Sequence, residues 1–347
     1  MKLRFLLSVF IFLLTTSYAQ KKLNVQILTA GTNTSLRGMS VPTKTVIWVS
    51  GSNGTIGKST DGGKTWRWLI VSGYEKRDFR DIEAFDSSTA IIMAVDNPAY
   101  ILKTTDGGAT WRKVFEKDVK GMFLDAMDFK NDTEGICVGD PLAIGTDKRF
   151  FYVIRTYDGG NSWLETPAPQ LTPAANGEAI FSASGTNISF LNHPDFEYAF
   201  VTGGMVSNLI MIGRDRIPNK AVNIPVVQKK ESAGTFSMAT DGHKKFYCIG
   251  GDYKIPTNDK DNFHFSLNNG NQWKAPVKKQ PTGYRSCIRI IKNKTMVACG
   301  TSGIDFAKNG EKEWRKISPE SFNVCMISPN GKVYLAGEKG KIGILTY

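Results

Sequence analysis

Short segments in which apolar and polar residues alternate recur along the chain, separated by turns rich in Gly, Asn and Asp. One unit reads RDIEAFD, TAIIMAVD, AYILKTTDGG and TWRKVFE. Alternation with a period of two, together with β-branched and aromatic residues, is typical of β-strands. Residues 20–347 contain no long segment with a helical period. The pattern therefore predicts an all-β protein built from units of four short antiparallel strands.

A nine-residue motif recurs where the third strand of a unit ends. It reads KSTDGGKTW at residues 58–66, KTTDGGATW at 103–111 and RTYDGGNSW at 155–163. Two weaker copies, FSLNNGNQW and FAKNGEKEW, follow later in the chain, and the gap before them is about two periods long. We therefore expect a decayed copy at residues 209–219. Repeats of this size with strands between them indicate a β-propeller.

Counting the first strand of each unit gives seven units. These strands are predicted to begin at Ser35, Phe79, Phe123, Gly177, Gly234, Gly283 and Phe322. The last unit has only three strands of its own, and the segment LNVQILT at residues 23–29 has no unit. Its addition to the last unit would close the ring and leave no free blade edge. The predicted fold is a seven-bladed propeller of four-stranded antiparallel blades, closed by the N-terminal strand.

The nine-residue motif resembles the Asp-box of bacterial neuraminidase (BNR) repeats. The resemblance implies a hairpin between the third and fourth strands, with the Trp packed between neighbouring sheets. Its Asp can accept hydrogen bonds from turn N–H groups and from a hydroxyl, and its glycines permit positive φ. We expect a structural role for these residues, namely Asp61, Trp66, Asp106, Trp111, Asp158 and Trp163.

The order of other segments extends the resemblance to almost the whole mature chain. SLRGMSV, RDIEAFD, GICVGDP, GEAIFSASGT, FSMATDG, IGGDYKIP, GYRSCI and TSGID follow one another. This order is similar to that in secreted bacterial relatives of photosystem II stability/assembly factors, among the WD40/YVTN/BNR-like propellers. The resemblance implies a chaperone-like binding protein and says little about activity. A dinucleotide cofactor is not expected, because GSNGTIG at residues 51–57 does not match G-x-G-x-x-G.

The first residues have the features of a secretory signal. Basic residues at positions 2 and 4 precede an apolar run at 5–14, which is too short to cross a bilayer. We expect cleavage near the Ala19–Gln20 bond, which removes residues 1–19. Residues 20–347 are then expected to form a single propeller domain, monomeric, without a membrane span, and periplasmic or secreted.

The net charge of +12 falls to +10 when the two basic leader residues are removed. For an exported basic protein, acidic glycans, anionic lipid headgroups and acidic protein surfaces are more natural partners than nucleic acid. A generally soluble basic surface would give the same charge. The loop TNDKDN holds Asp259 and Asp261 but lacks the spacing of a known calcium loop. Whether it binds calcium stays open.

The cysteine pattern indicates buried thiols. The five cysteines lie in apolar runs such as GICVG, FYCIG and MVACG, and their odd number leaves at least one without a partner in the chain. Buried free thiols behave as small hydrophobic side chains. No histidine has the spacing of a zinc partner. The sequence therefore predicts no metal site and no cofactor.

The candidate site lies at the central channel, which the first strand of each blade lines. Aligning these strands places at one level Arg37, Asp81, Asp125, Glu178, Phe236, Arg285 and Asn323. Expected neighbours are Arg80, Asp140, Thr202, Asp252, Tyr253, Tyr284 and Ser302. Burying so many charges is costly unless they pair. They form either a water-filled channel mouth with paired ions or a pocket whose arginines bind an anionic ligand.

Two functions are compatible with such a face. The first is a binding protein that holds a protein segment or a small polar or anionic ligand there, with Arg285 serving recognition rather than stability. The second is a sialidase-like hydrolase of an anionic glycan, with the arginines holding a carboxylate, Tyr284 and Glu178 as the nucleophile pair and Asp81 as the acid. The Arg-Ile-Pro stretch of sialidases precedes their Asp-boxes, whereas here residues 216–218 follow three motifs. Catalytic residues are therefore not assigned.

Overall fold

The computed structural model describes residues 23–143 and 148–346. The predicted signal peptide lies outside these residues. Within this part of the chain, no helix has the length and the hydropathy that crossing a lipid bilayer requires.

The described residues form 29 strands and two short 3₁₀-helices, at Ala168–Gln170 and Glu338–Gly340. The strands before the second half are β1 Asn24–Thr29, β2 Leu36–Ser40, β3 Ile47–Gly51, β4 Thr55–Ser59, β5 Arg67–Ile70, β6 Phe79–Ala84, β7 Ala90–Ala94, β8 Ala99–Thr104, β9 Arg112–Lys117, β10 Leu124–Phe129, β11 Gly135–Ala143, β12 Arg149–Thr156 and β13 Leu164–Glu165. The remaining strands are β14 Glu178–Ala179, β15 Ile188–Phe190, β16 Phe196–Val201, β17 Gly203–Gly204, β18 Asn208–Gly213, β19 Lys220–Asn223, β20 Ala233–Thr240, β21 Phe246–Asp252, β22 Phe263–Ser266, β23 Cys287–Lys292, β24 Thr295–Gly300, β25 Gly303–Asn309, β26 Glu313–Ser318, β27 Val324–Ile327, β28 Val333–Ala336 and β29 Ile342–Thr346.

Seven antiparallel sheets form the blades, as the sequence predicts. Blades one, two and three are β2–β5, β6–β9 and β10–β13. Blade four is β15, β16, β18 and β19, and blade six is β23–β26. In blade five, β20, β21 and β22 are followed by an isolated bridge between Phe265 and Lys274 where a fourth strand would lie.

The second strand of each blade lies between two neighbouring sheets, which explains its continuous apolar sequence. Strands β3, β7 and β21 are buried at every position, whereas the outer strand β5 is not. Hydrophobic clusters therefore form between blades. For example, Trp48 and Ile56 of blade one pack with Ile82 and Ile92 of blade two. A strand buried on both faces loses the apolar–polar alternation of an exposed one.

The N-terminal strand closes the ring. β1 pairs antiparallel with β29, with Val25 opposite Leu345 and Ile27 opposite Gly343, so blade seven consists of β27, β28, β29 and β1. The closing cluster packs Leu36 of blade one against Val324 of blade seven and Cys287 of blade six. The predicted closure is confirmed.

The predicted first strand of blade four is wrong. The inner strand is β15, Ile188–Phe190, not the segment beginning at Gly177. Glu178 and Ala179 instead form the two-residue strand β14, which pairs with β17 at the edge of the blade-five sheet. The intervening residues 180–187 cross the centre of the ring, and we call them the hub segment.

Hydroxyl groups tie the hub segment to several blades. The Ser182 hydroxyl donates to the Asp125 carbonyl (3.0 Å), and that of Ser184 donates to the Ser286 carbonyl (2.7 Å). The Thr186 hydroxyl lies 2.5 Å from the Ser237 hydroxyl. Gly185 has φ +65°, and a Cβ there would lie 2.1 Å from Asp81 Oδ1, so only glycine fits. The ring centre is therefore filled at this level by ordered backbone.

The nine-residue motif forms the hairpin between the third and fourth strands in blades one, two and three. In blade two the Thr104 hydroxyl donates to Asp106 Oδ1 (2.9 Å) and accepts the N–H of Gly108 (3.0 Å). The N–H and hydroxyl of Thr110 both donate to Asp106 (2.9 and 2.5 Å). The weaker copy in blade five keeps this pattern, with Asn268 in place of the Asp.

The first residue of the motif links adjacent hairpins. Lys58 Nζ donates to the Gly107 carbonyl of the next motif (2.8 Å), and Lys103 Nζ donates to the Gly159 carbonyl (2.8 Å). The indoles of Trp111 and Trp48 meet edge to face at 6.5 Å, and Trp163 is buried. The motif therefore joins blades at the rim, far from the hub segment.

We expect Asp106→Ala to lower the melting temperature by about 2–4 °C. Hydrogen bonds from Thr110 lower the pKa of Asp106 to about 2, so the turn is organised around a carboxylate at neutral pH. Asp106→Asn keeps one acceptor, as Asn268 does in blade five, and should lose less than half as much. Thermal unfolding followed by circular dichroism checks this, and an unchanged alanine variant would contradict the role of the turn.

Candidate functional site

In four blades, a bulge in the inner strand turns one side chain toward the channel face. In four blades the register shifts at Arg37, Arg80, Asp125 and Phe236, where two residues lie opposite one residue of the second strand. A β-bulge re-aims a side chain in this way. Asn323 has the equivalent place in blade seven. Its N–H donates to the carbonyl of Ala336, and the next residue, Val324, also lies opposite Ala336.

Two predicted positions are displaced by one residue from this level. Asp81 follows the bulge residue Arg80, and Arg285 precedes the corresponding position in blade six, which is held by Ser286. A shift of one residue in a strand moves a side chain to the other face. Asp81 and Arg285 are therefore buried, with 1% and 0% of their surface exposed.

A cavity of about 420 Å³ opens on this face, and we call it the channel-face cavity. It is lined by Arg37, Arg80, Phe123, Asp140, Ala179, Ile180, Phe181, Ser182, Ala183, Phe236, Tyr253, Tyr284, Thr301 and Asn323. Seven residues that the sequence predicts at this face thus meet here: Arg37, Arg80, Asp140, Phe236, Tyr253, Tyr284 and Asn323. The hub segment forms its floor.

The two arginines of the cavity differ in their partners. Arg80 is paired with Asp78 (Nε–Oδ2 2.7 Å), and its Nη1 donates to the Ser182 carbonyl (3.4 Å). The Arg37 guanidinium has no hydrogen bond to any residue that the structure describes. Burial lowers the pKa of Arg37, and the charge of Arg80 lowers it further. A partly desolvated cation beside a second cation favours an anionic partner.

Aromatic rings form one wall of the cavity. Phe181 of the hub segment stacks on Phe236 with ring centroids 3.9 Å apart and planes 2° apart. Tyr284 and Tyr253 meet Phe236 edge to face at 4.8 and 6.2 Å. Tyr253 is 46% exposed, so this wall is open to solvent on one side. It offers a flat apolar surface next to the Arg37 guanidinium.

Carboxylates lie at the blade-three side. Asp140 accepts the N–H of Ile180 (2.9 Å), and burial raises its pKa. Asp125 is fully buried, and neither of its carboxylate oxygens has a hydrogen-bond partner in the described part of the chain. Burial raises the pKa of Asp125 well above its usual range, and the charge of Asp140 raises it further. Asp125 lies beneath the cavity, not in its lining.

Other predicted site residues are held by protein groups outside the cavity. Glu178 accepts from Thr202 Oγ1 (2.6 Å) and Asn208 Nδ2 (2.8 Å). Asp252 accepts from Ser232 Oγ (2.8 Å) and is paired with Lys230. The hydrogen bonds of Glu178 to blade four and of Asp252 within blade five give each carboxylate a structural role.

Arg285 is also enclosed. Its Nε donates to Asp305 Oδ2 (2.8 Å), and its Nη2 forms an ion pair with the same oxygen (2.5 Å). Its Nη1 donates to the Tyr284 carbonyl (2.7 Å) and Ser302 Oγ (2.6 Å). Its Nη2 also donates to Thr282 Oγ1 (3.1 Å). Each of its three nitrogens has a partner in the protein and the side chain has no exposed surface, so Arg285 is not accessible to a ligand.

The arrangement gives no support to a sialidase-like nucleophile pair. Glu178 is bound to Thr202 and Asn208, and no hydrogen bond joins it to Tyr284 among the described residues. Burial raises the pKa of Tyr284, which keeps its phenol protonated at neutral pH. Asp81, the predicted acid, lies under the hub segment at Gly185.

Sequence reasoning missed the cavity residues Phe123, Phe181, Ser182 and Thr301. Phe123 is the residue just before β10. Phe181 lies in the segment beginning at Gly177, which the sequence pattern predicts as the first strand of blade four. The stretch GEAIFSASGTN did contain a signal, because its run of Ser, Thr and Gly is unusual for an inner strand. Such residues are common in irregular segments that bond through hydroxyls.

Comparison with known proteins identifies the architecture. No protein-family model and no curated protein match the sequence. A solved structure described as YCF48 bound to D1 peptide is similar, with a TM-score of 0.64 and 16% identity over 95% of this chain and 96% of that chain. YCF48 from Cyanidioschyzon merolae gives 0.62 and 15% over 92% and 98%, and a streptogramin B lyase gives 0.63 and 11% over 93% and 97%. At these identities the likeness shows a shared β-propeller fold.

Proposed function

We propose that this protein is an exported, Asp-box-type propeller that binds a segment of another protein at the channel-face cavity. The main support for this proposal comes from Arg37. Its guanidinium lines the cavity beside an aromatic wall and has no hydrogen bond to any described residue. A chain segment that presents a carboxylate next to an apolar side chain would satisfy both features. The role resembles that of an assembly factor, and it requires no chemistry.

Three further observations support the proposal. The hub segment fills the centre of the ring, so the cavity has a floor built from ordered residues such as Ser182. Large aromatic surfaces bury much apolar area at low cost in conformational entropy. A structurally similar propeller, YCF48, has been solved with a D1 peptide bound. The apolar run at residues 5–14 supports export.

A defined peptide set tests the proposal. Fluorescein-labelled peptides of about eight residues, with and without an acidic–aromatic pair, are titrated against the protein and followed by fluorescence anisotropy. We expect the acidic–aromatic peptides to bind and Arg37→Gln to weaken binding at least tenfold, which corresponds to about 1.4 kcal/mol. Arg37→Lys should recover part of the affinity because it restores the charge but not the planar donor pair.

Arg67→Gln provides the matched control. Arg67 begins the outer strand of blade one and is exposed, so its loss of charge should not change peptide affinity. If no peptide of the set binds, or if Arg37→Gln binds as tightly as the unmodified protein, the proposed site is wrong.

A further inference from the structure

Three of the five cysteines converge at one point, although the sequence separates them widely. Cys287 lies on the inner strand of blade six, and Cys299 is its direct partner on the second strand. Cys325 lies on the inner strand of blade seven. All three Sγ atoms lie within 4.8 Å of one another, and those of Cys287 and Cys325 are 3.6 Å apart. The side chains are fully buried.

We propose that these three cysteines bind one Cu(I) ion, which links the inner strands of blades six and seven. Thiolates are the ligands that select soft metal ions such as Cu(I). Structural zinc sites are almost always four-coordinate, and iron–sulfur clusters use four cysteines. Among the residues that the structure describes, the group has three ligands and no fourth His, Cys or carboxylate.

The surroundings of Cys287 suit a bound thiolate. Its Sγ receives hydrogen bonds from Thr186 Oγ1 (3.6 Å) and from the N–H of Cys325 (3.4 Å). The positive charge of Arg289 acts on the sulfurs of both Cys287 and Cys325. Each thiol that binds the ion releases its proton to solvent. The two hydrogen-bond donors and the Arg289 guanidinium offset part of the resulting negative charge. An apolar site without such groups would leave this charge uncompensated.

The other two cysteines show what an ordinary buried thiol looks like in this fold. Cys248 lies in the apolar cluster between blades four and five, and Cys137 lies between blades two and three beside Met93. Neither belongs to a group of three potential ligands in the described residues. They therefore serve as matched controls with equal burial.

A copper titration of the reduced protein tests the proposal. The protein is kept anaerobic, mixed with Cu(I) in acetonitrile, and separated from free ion by gel filtration. We expect one copper per chain, a sulfur-only first shell in the copper X-ray absorption spectrum, and a raised melting temperature because the assembled three-thiolate site binds the ion more tightly than the unfolded chain does. Copper content should fall to near zero in Cys287→Ser, Cys299→Ser and Cys325→Ser, and should stay at one in Cys248→Ser.

Folding of the variants is checked by circular dichroism. If a variant does not fold, the copper X-ray absorption spectrum of the unmodified protein tests whether the ligands are sulfur. The proposal is overturned if the folded protein retains no Cu(I), or if oxygen or nitrogen ligands dominate the spectrum. Retention of copper by a folded Cys287→Ser variant would overturn it too. A Cys287–Cys325 disulfide in protein purified without reductant would assign the pair to a covalent link instead.

Discussion

Replacing Arg285 with alanine is expected to lower the free energy of unfolding by about 3–5 kcal/mol, since it leaves the buried Asp305 carboxylate without its cation. Both side chains have no exposed surface, and two of the Arg285 nitrogens bind the same oxygen, Asp305 Oδ2. Thr282 would still donate to that carboxylate, but three other acceptors would lose a donor. This outcome reverses the expectation from sequence that Arg285 serves recognition.

Chemical denaturation of three variants measures the effect. Arg285→Ala and Asp305→Ala each leave one buried charge alone, whereas the double variant leaves none. The double variant should therefore lose clearly less than the sum of the two single losses. Arg112→Ala, at an exposed position of β9, is the control and should change stability by less than about 0.5 kcal/mol. A stable Arg285→Ala protein that fails to bind peptide would contradict the structural role.

The sequence was sufficient to predict the blades and the ring closure. Apart from the inner strand of blade four, alternation and the repeated motif mark the strands, because inner, middle and outer strands have distinct burial. The level of the site residues was less predictable, since four of the inner strands contain a one-residue bulge at this level. A bulge leaves no mark in the alternation that distinguishes it from a shift in register. The sequence therefore predicts Asp81 and Arg285 at the level of Arg37, which Arg80 and Ser286 hold in the structure.

The other differences between the prediction and the structure arise where residues far apart in the sequence come together. The hub segment alternates apolar and polar residues only at its start, and Ser182, Ser184 and Thr186 bond to three different blades and hold it across the ring. The cysteine cluster joins two blades, and no short spacing connects its members. Local patterns report local structure, whereas these two features depend on which blades become neighbours.

Buried carboxylates at the hub should make the protein more stable in mild acid than at neutral pH. Asp81 accepts the N–H groups of Ile82 (2.9 Å) and Met127 (2.7 Å), but burial raises its pKa to about 7. Burial likewise raises the pKa of Asp128 to about 6, although Asp128 accepts the N–H of Phe190. Neither carboxylate has a hydrogen-bonded cation among the described residues. The charge of Arg289 offsets only part of the cost of burial.

The sign follows from proton binding. In the unfolded chain an Asp titrates near pH 3.9, so above that pH the folded state binds more protons than the unfolded state, and stability falls as pH rises. The loss continues up to about pH 6 for Asp128 and about pH 7 for Asp81. Between about pH 5 and 7.5 the two groups together should remove roughly 3–4 kcal/mol from the free energy of unfolding. His264 opposes the trend, because burial lowers its pKa.

Asp81→Asn isolates the larger contribution. The amide keeps the size of the side chain and cannot ionise, so this variant should have a clearly shallower pH dependence and gain stability at pH 7.5. Asp125, whose pKa burial also raises, should keep a slope of the same sign. Asp195→Asn, at an exposed position, should leave the pH profile unchanged. Urea unfolding at about pH 5, 6, 7 and 7.5 measures all three proteins. If the unmodified protein is equally stable across this range, or if Asp81→Asn has the same slope, the carboxylate of Asp81 does not take up a proton on folding.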